Sequence, residues 1–221
     1  ALQGKKFGSN LFTGEDIVSR PKKVISVGPA LDVALGGGVP EGTVFVISGK
    51  PKIGKTTTIL SFAAQAQKLG KRIWYFDVEH RLKKKNLHGI LGLNSDPSTL
   101  QIIQSSAENI LHGEGWLAAA EEVIRNDPGS MIIFDSASAL CSETEYVEPI
   151  SGQRRSLGPK LMAAFCRRNA PIVGVNNSIL VIVQHLMANT SGKGRQWVED
   201  GGESIKFQMD TNVGALMGED W

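Results

Sequence analysis

Residues 49–56, GKPKIGKT, fit the pattern G-x-x-x-x-G-K-[ST], which is typical of loops that bind nucleotide phosphates. Gly49 and Gly54 allow the turn and the close approach of backbone N–H groups to phosphate oxygens. Lys55 would place positive charge at the β- and γ-phosphates, and the Thr56 hydroxyl would bind Mg²⁺. The sequence therefore predicts a nucleoside triphosphate site made of Gly49, Lys50, Pro51, Lys52, Ile53, Gly54, Lys55, Thr56 and Thr57.

Three polar side chains follow apolar runs and are candidates for the hydrolysis chemistry. Asp135 ends the run MIIFD and is predicted to support Mg²⁺, although a strand-ending aspartate can also cap the next segment. Glu79 follows the run WYFDV and is the candidate that orients, or accepts a proton from, the attacking water. Gln184 ends SILVIVQ and is predicted to sense the γ-phosphate, since an amide both donates and accepts hydrogen bonds; capping the strand is the alternative.

Short apolar runs alternate with helical patterns along the chain, as expected for βαβ units with a mostly parallel sheet. Residues 1–24 lack strong periodicity and are predicted to form an N-terminal arm, and residues 25–221 a single α/β core. Strands are predicted at 43–48, 72–78, 100–105, 130–140, 178–184 and 211–217, and helices directly after the phosphate loop and over about 114–125 and 159–169.

Positive charge is concentrated in one part of the chain, although the net charge is only +2. Between Pro149 and Val198 there is no acidic residue, whereas the rest of the chain has more acidic than basic residues. Such asymmetry is typical of a surface that binds a polyanion, and a solvated basic face is the alternative interpretation. The basic residues of this acid-free stretch are Arg154, Arg155, Lys160, Arg167, Arg168, Lys193 and Arg195.

Composition excludes several classes of protein. A hydrophobic content of 41% and a charged content of 21% are ordinary for a globular domain. No apolar run approaches the roughly 18 residues of a membrane span, so no membrane association is expected. The two cysteines do not form a disulfide framework, which predicts a reducing compartment, the cytoplasm.

Six motifs occur in an order and at spacings that resemble those of the RecA-like DNA strand-exchange recombinases, of the bacterial RecA and phage UvsX type. The resemblance extends from about Ile25 to Leu216 and implies a RecA-like P-loop ATPase core that uses ATP and Mg²⁺. It also implies filaments on single-stranded DNA, homologous pairing and strand exchange with double-stranded DNA, and DNA-dependent ATP hydrolysis. The motifs are ALDVALGGGVPEG, GKPKIGKTT, FDVEHRL, MIIFDSASAL, VIVQH and GGESIKF.

The resemblance further implies roles for individual residues. Lys55, Glu79 and Gln184 would be catalytic, with Glu79 as the catalytic carboxylate and Gln184 as the γ-phosphate sensor. Thr56 and Asp135 would bind the metal. The Lys206–Phe207 pair would lie at the interface between subunits, with the N-terminal arm docking on a neighbour and loading or mediator proteins as further partners.

Two loops are implied to bind DNA, at about 148–159 and about 186–202, both largely within the acid-free stretch. Arginine and lysine would contact phosphates, and an aromatic ring beside them would stack on bases, as in other single-strand binders. Trp197 is the candidate ring, although it could instead fold back on the core. The predicted DNA-binding residues are Arg154, Arg155, Lys160, Lys193, Arg195 and Trp197.

Two alternative functions keep the same fold. A hexameric helicase or related motor would move along nucleic acid as a closed ring. A recombinase paralogue acting as a regulator would bind nucleotide without turning it over. The shape of the assembly and the presence of turnover discriminate these interpretations from a recombinase.

Overall fold

A mostly parallel β-sheet forms the centre of the protein in the computed structural model, which describes residues 10–148, 156–189, 196–200 and 203–215. The strands are β1 (Val24–Ile25), β2 (Val39–Pro40), β3 (Thr43–Gly49), β4 (Ile73–Asp77), β5 (Leu100–Ile103), β6 (Met131–Asp135), β7 (Ile179–Ala188), β8 (Trp197–Asp200) and β9 (Thr211–Ala215). The α-helices are α1 (Gly14–Val18), α2 (Pro29–Ala34), α3 (Lys55–Lys68), α4 (Lys84–His88), α5 (Gly113–Asn126), α6 (Glu143–Val147) and α7 (Gly158–Val175).

The strand order of the central sheet is β5-β4-β6-β7-β3-β9, with parallel pairing along this path. Alternate residues of β3 face opposite sides: Val44 and Val46 pack in one hydrophobic cluster with α5 and α7, while Phe45 and Ile47 pack in a second with α3. Helices therefore cover both faces of the sheet, which confirms the predicted α/β fold with a mostly parallel sheet flanked by helices. In the described part of the chain, no helix is long and apolar enough to cross a membrane.

Several predicted boundaries were wrong. The helix predicted to end at Asn169 continues to Val175 as α7, passing through Pro171. Proline normally ends a helix, but here the last turn buries Val173 completely in the core, and this packing outweighs the lost backbone hydrogen bond. The strand predicted at 178–184 extends to Ala188 as β7. The strand predicted at 130–140 ends at Asp135 as β6, and a 3-10 helix follows at Ala137–Ala139.

The extension of β7 forms because a second strand returns beside it. β8 pairs antiparallel with β7, with Ala188 opposite Trp197 and His185 opposite Asp200. This pairing satisfies backbone groups of β7 beyond the end of the parallel sheet. The second predicted DNA loop is thus partly a β-hairpin, whose connecting residues 190–195 lie outside the described residues.

A buried ion pair ties together the amino-terminal ends of the strands. The Lys71 ammonium lies 2.7 Å from a Glu41 carboxylate oxygen, and the two side chains are only 4% and 9% exposed. Lys71 also donates hydrogen bonds to the carbonyl oxygens of Gly129 and Asn177, at 2.9 and 2.8 Å. One lysine therefore joins the segments that lead into β3, β4, β6 and β7.

We expect Lys71→Met to lower the free energy of unfolding by about 3 kcal/mol, because it leaves the Glu41 carboxylate buried without its counter-ion. Urea unfolding at neutral pH measures this change. Lys68→Met, which removes an exposed lysine nearby in sequence, is the matched control and should change stability by less than about 0.5 kcal/mol. A loss below about 1 kcal/mol for Lys71→Met would show that the pair does not hold these ends together.

Candidate nucleotide-binding site

A cavity of about 510 Å³ lies at the carboxyl ends of the central strands. The loop after β3 and the start of α3 form one wall, and side chains from β4, β6 and β7 form the floor. The register brings these ends together, with Gly49 opposite His185 and Asp77 opposite Asp135. A cavity of similar size surrounds Lys71 at the opposite edge, but it has no glycine-rich loop leading into a helix.

Two glycines allow the conformation of the phosphate loop, because a side chain at either position would clash with the backbone or strain it. A Cβ atom on Gly49 would lie 2.8 Å from the Ala215 carbonyl oxygen, so only glycine lets β9 approach β3 this closely. Gly54 adopts φ +96°, a left-handed conformation that glycine tolerates, directly before α3. The 14-residue helix that follows directs its amino-terminal N–H groups and positive dipole end toward the cavity.

Lys55 is held inside the loop. Its ammonium donates hydrogen bonds to the carbonyl oxygens of Gly49 and Lys50, both at 2.8 Å. Burial lowers the pKa of Lys55, and the nearby carboxylates of Asp135 and Glu79 oppose this shift. The ammonium is thus positioned at the loop centre, where it can neutralise phosphate charge.

Thr56 and Asp135 come together across the cavity, as the sequence predicted. The Thr56 hydroxyl donates to a carboxylate oxygen of Asp135 at 3.0 Å, and the Tyr75 hydroxyl donates to the same oxygen at 2.5 Å. Burial raises the pKa of Asp135, although both hydrogen bonds counteract it. Tyr75, which sequence reasoning missed, orients the carboxylate from β4.

These oxygens fit a magnesium ion. Mg²⁺ prefers hard oxygen ligands and usually takes one or two from protein, the remainder from phosphates and water. Thr56 supplies a hydroxyl and Asp135 a carboxylate at the place where β- and γ-phosphates would lie. Among the described residues, no group of three or more histidine, cysteine or acidic side chains is arranged to hold a metal, so a cage made only of such side chains is not offered there.

Glu79 lies at the floor of the cavity with three side-chain partners. His185 Nε2 is 2.6 Å from its Oε1, the Ser136 hydroxyl donates to the same oxygen, and Arg81 forms an ion pair with Oε2 at 2.9 Å. The hydrogen bond with His185, then that with Ser136 and the positive charge of Arg81, lower the pKa of Glu79 to about 2 despite burial. A carboxylate with so low a pKa is a weak base. Glu79 is therefore better suited to orienting the attacking water than to accepting a proton from it.

The structure brings His185, not Gln184, into the cavity. Gln184 is 2% exposed, its amide nitrogen has no hydrogen-bond partner among the described residues, and it does not line the cavity. Successive side chains of a strand point to opposite faces, so the residue after Gln184 is the one that contacts Glu79. Gln184 as γ-phosphate sensor remains a prediction, and His185 is the residue of β7 that sequence reasoning missed.

Asp77, the last residue of β4, accepts backbone hydrogen bonds. The N–H groups of Arg81 and Leu82 donate to its carboxylate at 3.0 and 2.9 Å, and the Gln104 amide donates at 2.6 Å. Asp77 therefore fixes the turn that carries Glu79 into the cavity.

The residues predicted to bind DNA are only partly described. Lys160 lies on α7, while Arg154, Arg155, Lys193 and Arg195 lie outside the described residues. Trp197 begins β8, and the Lys50 ammonium lies 3.8 Å from the centre of its ring. The structure thus places the predicted base-stacking side chain against the phosphate loop.

The predicted interface pair lies in a 3-10 helix at Glu203–Phe207. Lys206 forms an ion pair with Glu199 of β8 at 2.9 Å. Phe207 is 84% exposed.

These features define a P-loop nucleotide-binding protein. They are a glycine-rich loop between a strand and a helix, a lysine at the centre of this loop, and a strand-ending aspartate beside the loop threonine. Comparison with known proteins narrows this class. The family model described as RecA N-terminal domain matches residues 4–214. The chain therefore belongs to the RecA family, and the resemblance seen in its motifs is confirmed.

Individual relatives agree with the family match. Protein RecA of Phytoplasma mali is 30% identical over 207 residues, covering 92% of this chain and 59% of the relative. Protein RecA of Clostridium botulinum strain Alaska E43 is 31% identical over 213 residues, covering 93% and 56%. The mitochondrial DNA repair protein recA homolog of Dictyostelium discoideum is 30% identical over 208 residues, covering 92% and 44%. The chain spans about half the length of these curated relatives.

Proposed function

We propose that this chain is the ATPase core of a recombinase that forms filaments on single-stranded DNA and promotes homologous pairing and strand exchange. The observation that carries the proposal is that one strand, β7, borders the nucleotide cavity and also leads into the second predicted DNA-binding loop. The cavity that holds Lys55, Thr56, Asp135 and Glu79 is bordered by β7, which pairs with β8. Lys193 and Arg195 lie in sequence between these two strands. Family membership supports the same function.

In the proposed mechanism, the chain binds ATP through its loop N–H groups and hydrolyses it in the cavity. Lys55 moves from its loop carbonyls to the β- and γ-phosphates and neutralises charge there. Glu79 orients the attacking water, with its own position set by Ser136 and by His185, which would contact the γ-phosphate side of the site. Mg²⁺, held through Thr56 and Asp135, would supply further charge neutralisation when bound.

DNA contacts would come from the acid-free stretch. Arginine and lysine side chains contact the backbone without reading sequence, which suits a protein whose specificity comes from base pairing between strands. Lys160 on α7 and Trp197 on β8 are the described members of this set, and Arg154, Arg155, Lys193 and Arg195 are its remaining members.

Self-association would use apolar groups exposed on the single chain. Leu11 and Phe12 of the N-terminal arm are about half exposed, and Phe207 is largely exposed. These side chains would be buried against a neighbouring subunit, together with Phe7, which lies outside the described residues. Loading or mediator proteins would act on the same filament.

We place this activity in the cytoplasm of a bacterial or phage-infected cell. Its two cysteines are unpaired, Cys141 on the surface and Cys166 buried, which suits a reducing compartment.

The proposed function is tested by measuring ATP hydrolysis with and without single-stranded DNA, and by negative-stain images of the same mixtures. A recombinase gives DNA-stimulated turnover and open helical filaments. Closed rings would instead support the helicase interpretation. Nucleotide binding without turnover would support the regulatory paralogue.

We expect neutralisation of the basic loop residues to weaken DNA binding and to flatten its dependence on salt. Each phosphate contact that is lost lowers the slope of log affinity against log salt by about 0.7 for a single strand. The variant replaces Arg154, Arg155, Lys193 and Arg195 with glutamine, and titrations at several salt concentrations measure the slope. Arg125→Gln on α5, which removes an arginine outside the stretch, is the control. A wild-type slope in the fourfold variant would place the DNA footprint elsewhere.

A further inference from the structure

We infer that Lys50 is a positioning residue that links the phosphate loop to the DNA-binding hairpin through Trp197. The inference rests on the proposed function and adds a regulatory contact to it. The Lys50 ammonium lies 3.8 Å from the centre of the Trp197 ring, well within the range of a cation–π interaction. Lys50 belongs to the predicted phosphate-binding loop and Trp197 to the predicted DNA-binding set, so one contact joins both sites.

The backbone of Lys50 is tied to the centre of the nucleotide site. Its carbonyl oxygen accepts a hydrogen bond from the Lys55 ammonium at 2.8 Å, directly after Gly49, where the loop begins. Its side chain reaches out of the loop to β8. A triphosphate bound in the loop attracts lysine ammonium groups far more strongly than an aromatic ring does, because phosphate oxygens carry full negative charge. Triphosphate and Trp197 therefore compete for the same ammonium.

The opposite end of β8 is held independently of Lys50. The Ser138 hydroxyl donates to the Asp200 carbonyl oxygen at 2.8 Å and accepts a hydrogen bond from the His185 N–H at 2.9 Å. Glu199 forms its ion pair with Lys206. The start of β8, by contrast, contacts the phosphate loop through the Trp197 ring. Release of this ring by Lys50 would free the indole side chain, while the backbone of β8 stays paired with β7, with Trp197 opposite Ala188 and Asp200 opposite His185.

The released ring has a use in DNA binding. An indole offers a flat apolar face on which an unpaired base stacks, and the face covered by the Lys50 ammonium is not open to a base. In this account, triphosphate withdraws Lys50 and frees Trp197 to stack, which raises affinity for single-stranded DNA. Lys50 thus makes DNA binding depend on the nucleotide by restraining Trp197 when no triphosphate competes for it.

The test compares Lys50→Met with Lys50→Arg, which keeps a cation over the ring. Anisotropy of a labelled single-stranded oligonucleotide gives affinity with a saturating non-hydrolysable ATP analogue and without nucleotide. We expect Lys50→Met to bind DNA about 3- to 30-fold more tightly than wild type without nucleotide, matching the strength of a cation–π contact, and to reduce the ratio between the two states. Lys50→Arg should retain the wild-type ratio. An unchanged ratio in Lys50→Met would overturn the inference.

A second readout needs no DNA and separates this inference from the proposed function. The difference in tryptophan emission between wild type and Trp197→Phe isolates Trp197, and we expect the ATP analogue to change it. In Lys50→Met, this Trp197 emission should already differ from wild type and should not respond to the analogue. In one outcome, wild type binds no DNA while its Trp197 emission responds to the analogue and that of Lys50→Met does not. This result would contradict the proposed function and support the nucleotide-dependent contact between Lys50 and Trp197. If the ATP analogue does not change Trp197 emission in wild type, the contact between Lys50 and Trp197 does not respond to nucleotide, and the inference is wrong.

Discussion

Lys55→Ala should lose nucleotide binding, and with it any DNA binding that depends on nucleotide. The substitution removes the ammonium that lies at the centre of the loop, 2.8 Å from the Gly49 and Lys50 carbonyl oxygens. Because this group would contact two phosphates at once, its removal should weaken ATP binding about 100-fold or more. Isothermal titration with an ATP analogue measures the affinity directly.

Two controls separate a lost phosphate contact from lost structure. Lys68→Ala removes a lysine from the exposed end of the same helix, α3, and should bind ATP as wild type does. Thermal unfolding of Lys55→Ala shows whether the loop survives without the buried ammonium. ATP-dependent DNA binding at the wild-type level in a folded Lys55→Ala protein would defeat the assignment of residues 49–57 as the phosphate site.

Glu79→Gln should separate nucleotide binding from hydrolysis. Glutamine keeps the size of the side chain and can still accept the hydrogen bond from Ser136, but it removes the negative charge that orients the attacking water. We expect turnover to fall about 100- to 1,000-fold, a typical range for removal of a catalytic carboxylate, while binding of ATP and DNA persists. DNA-stimulated phosphate release and analogue titration measure the two effects separately.

The matched control for this substitution is Glu121→Gln on α5, which removes a carboxylate that pairs with Arg125 and Arg168 away from the cavity. Its turnover should equal that of wild type. Normal turnover in Glu79→Gln would move the catalytic role to another group, and His185 at 2.6 Å would be the first candidate.

The phosphate loop and its supporting strands could be predicted because their signals are local. The motif at residues 49–56 fixes a strand, a turn and a helix together, and Asp135 follows a short run of apolar residues, MIIF, which favours a buried strand. The rule that parallel strands present their carboxyl ends at one edge then brings Asp135 to Thr56. The motif and the strand are recognised from neighbouring residues, and the rule for parallel sheets supplies the one long-range step.

The side chains that complete the site could not be predicted in this way. Whether Gln184 or His185 faces the cavity depends on the pleat of β7, which is set by its pairing with β3 and β6 rather than by its own sequence. Tyr75 lies within an apolar strand, where its hydroxyl gives no sign of the Asp135 partner. Glu79 was found from its place after a strand, but its contact with His185 spans 106 positions.

The hairpin at the end of β7 and the continuation of α7 through Pro171 were missed for a related reason. Residues 185–202 are rich in glycine and polar groups, so local propensity favours a loop, while pairing between β7 and β8 is a long-range effect. This pairing is also what brings Trp197 to Lys50. The contact between the predicted DNA and nucleotide sites was therefore visible only in the fold.

The measurement that tests the central claim most directly is fluorescence anisotropy of a labelled single-stranded oligonucleotide, titrated with this chain under an ATP analogue, ADP and no nucleotide. We predict tight and cooperative binding with the analogue and much weaker binding in the other two states, because β7 borders the phosphate cavity and leads into the predicted DNA-binding loop at about 186–202. Equal binding in all three states, or no binding in any of them, would contradict the account of a recombinase core whose DNA binding is controlled by ATP.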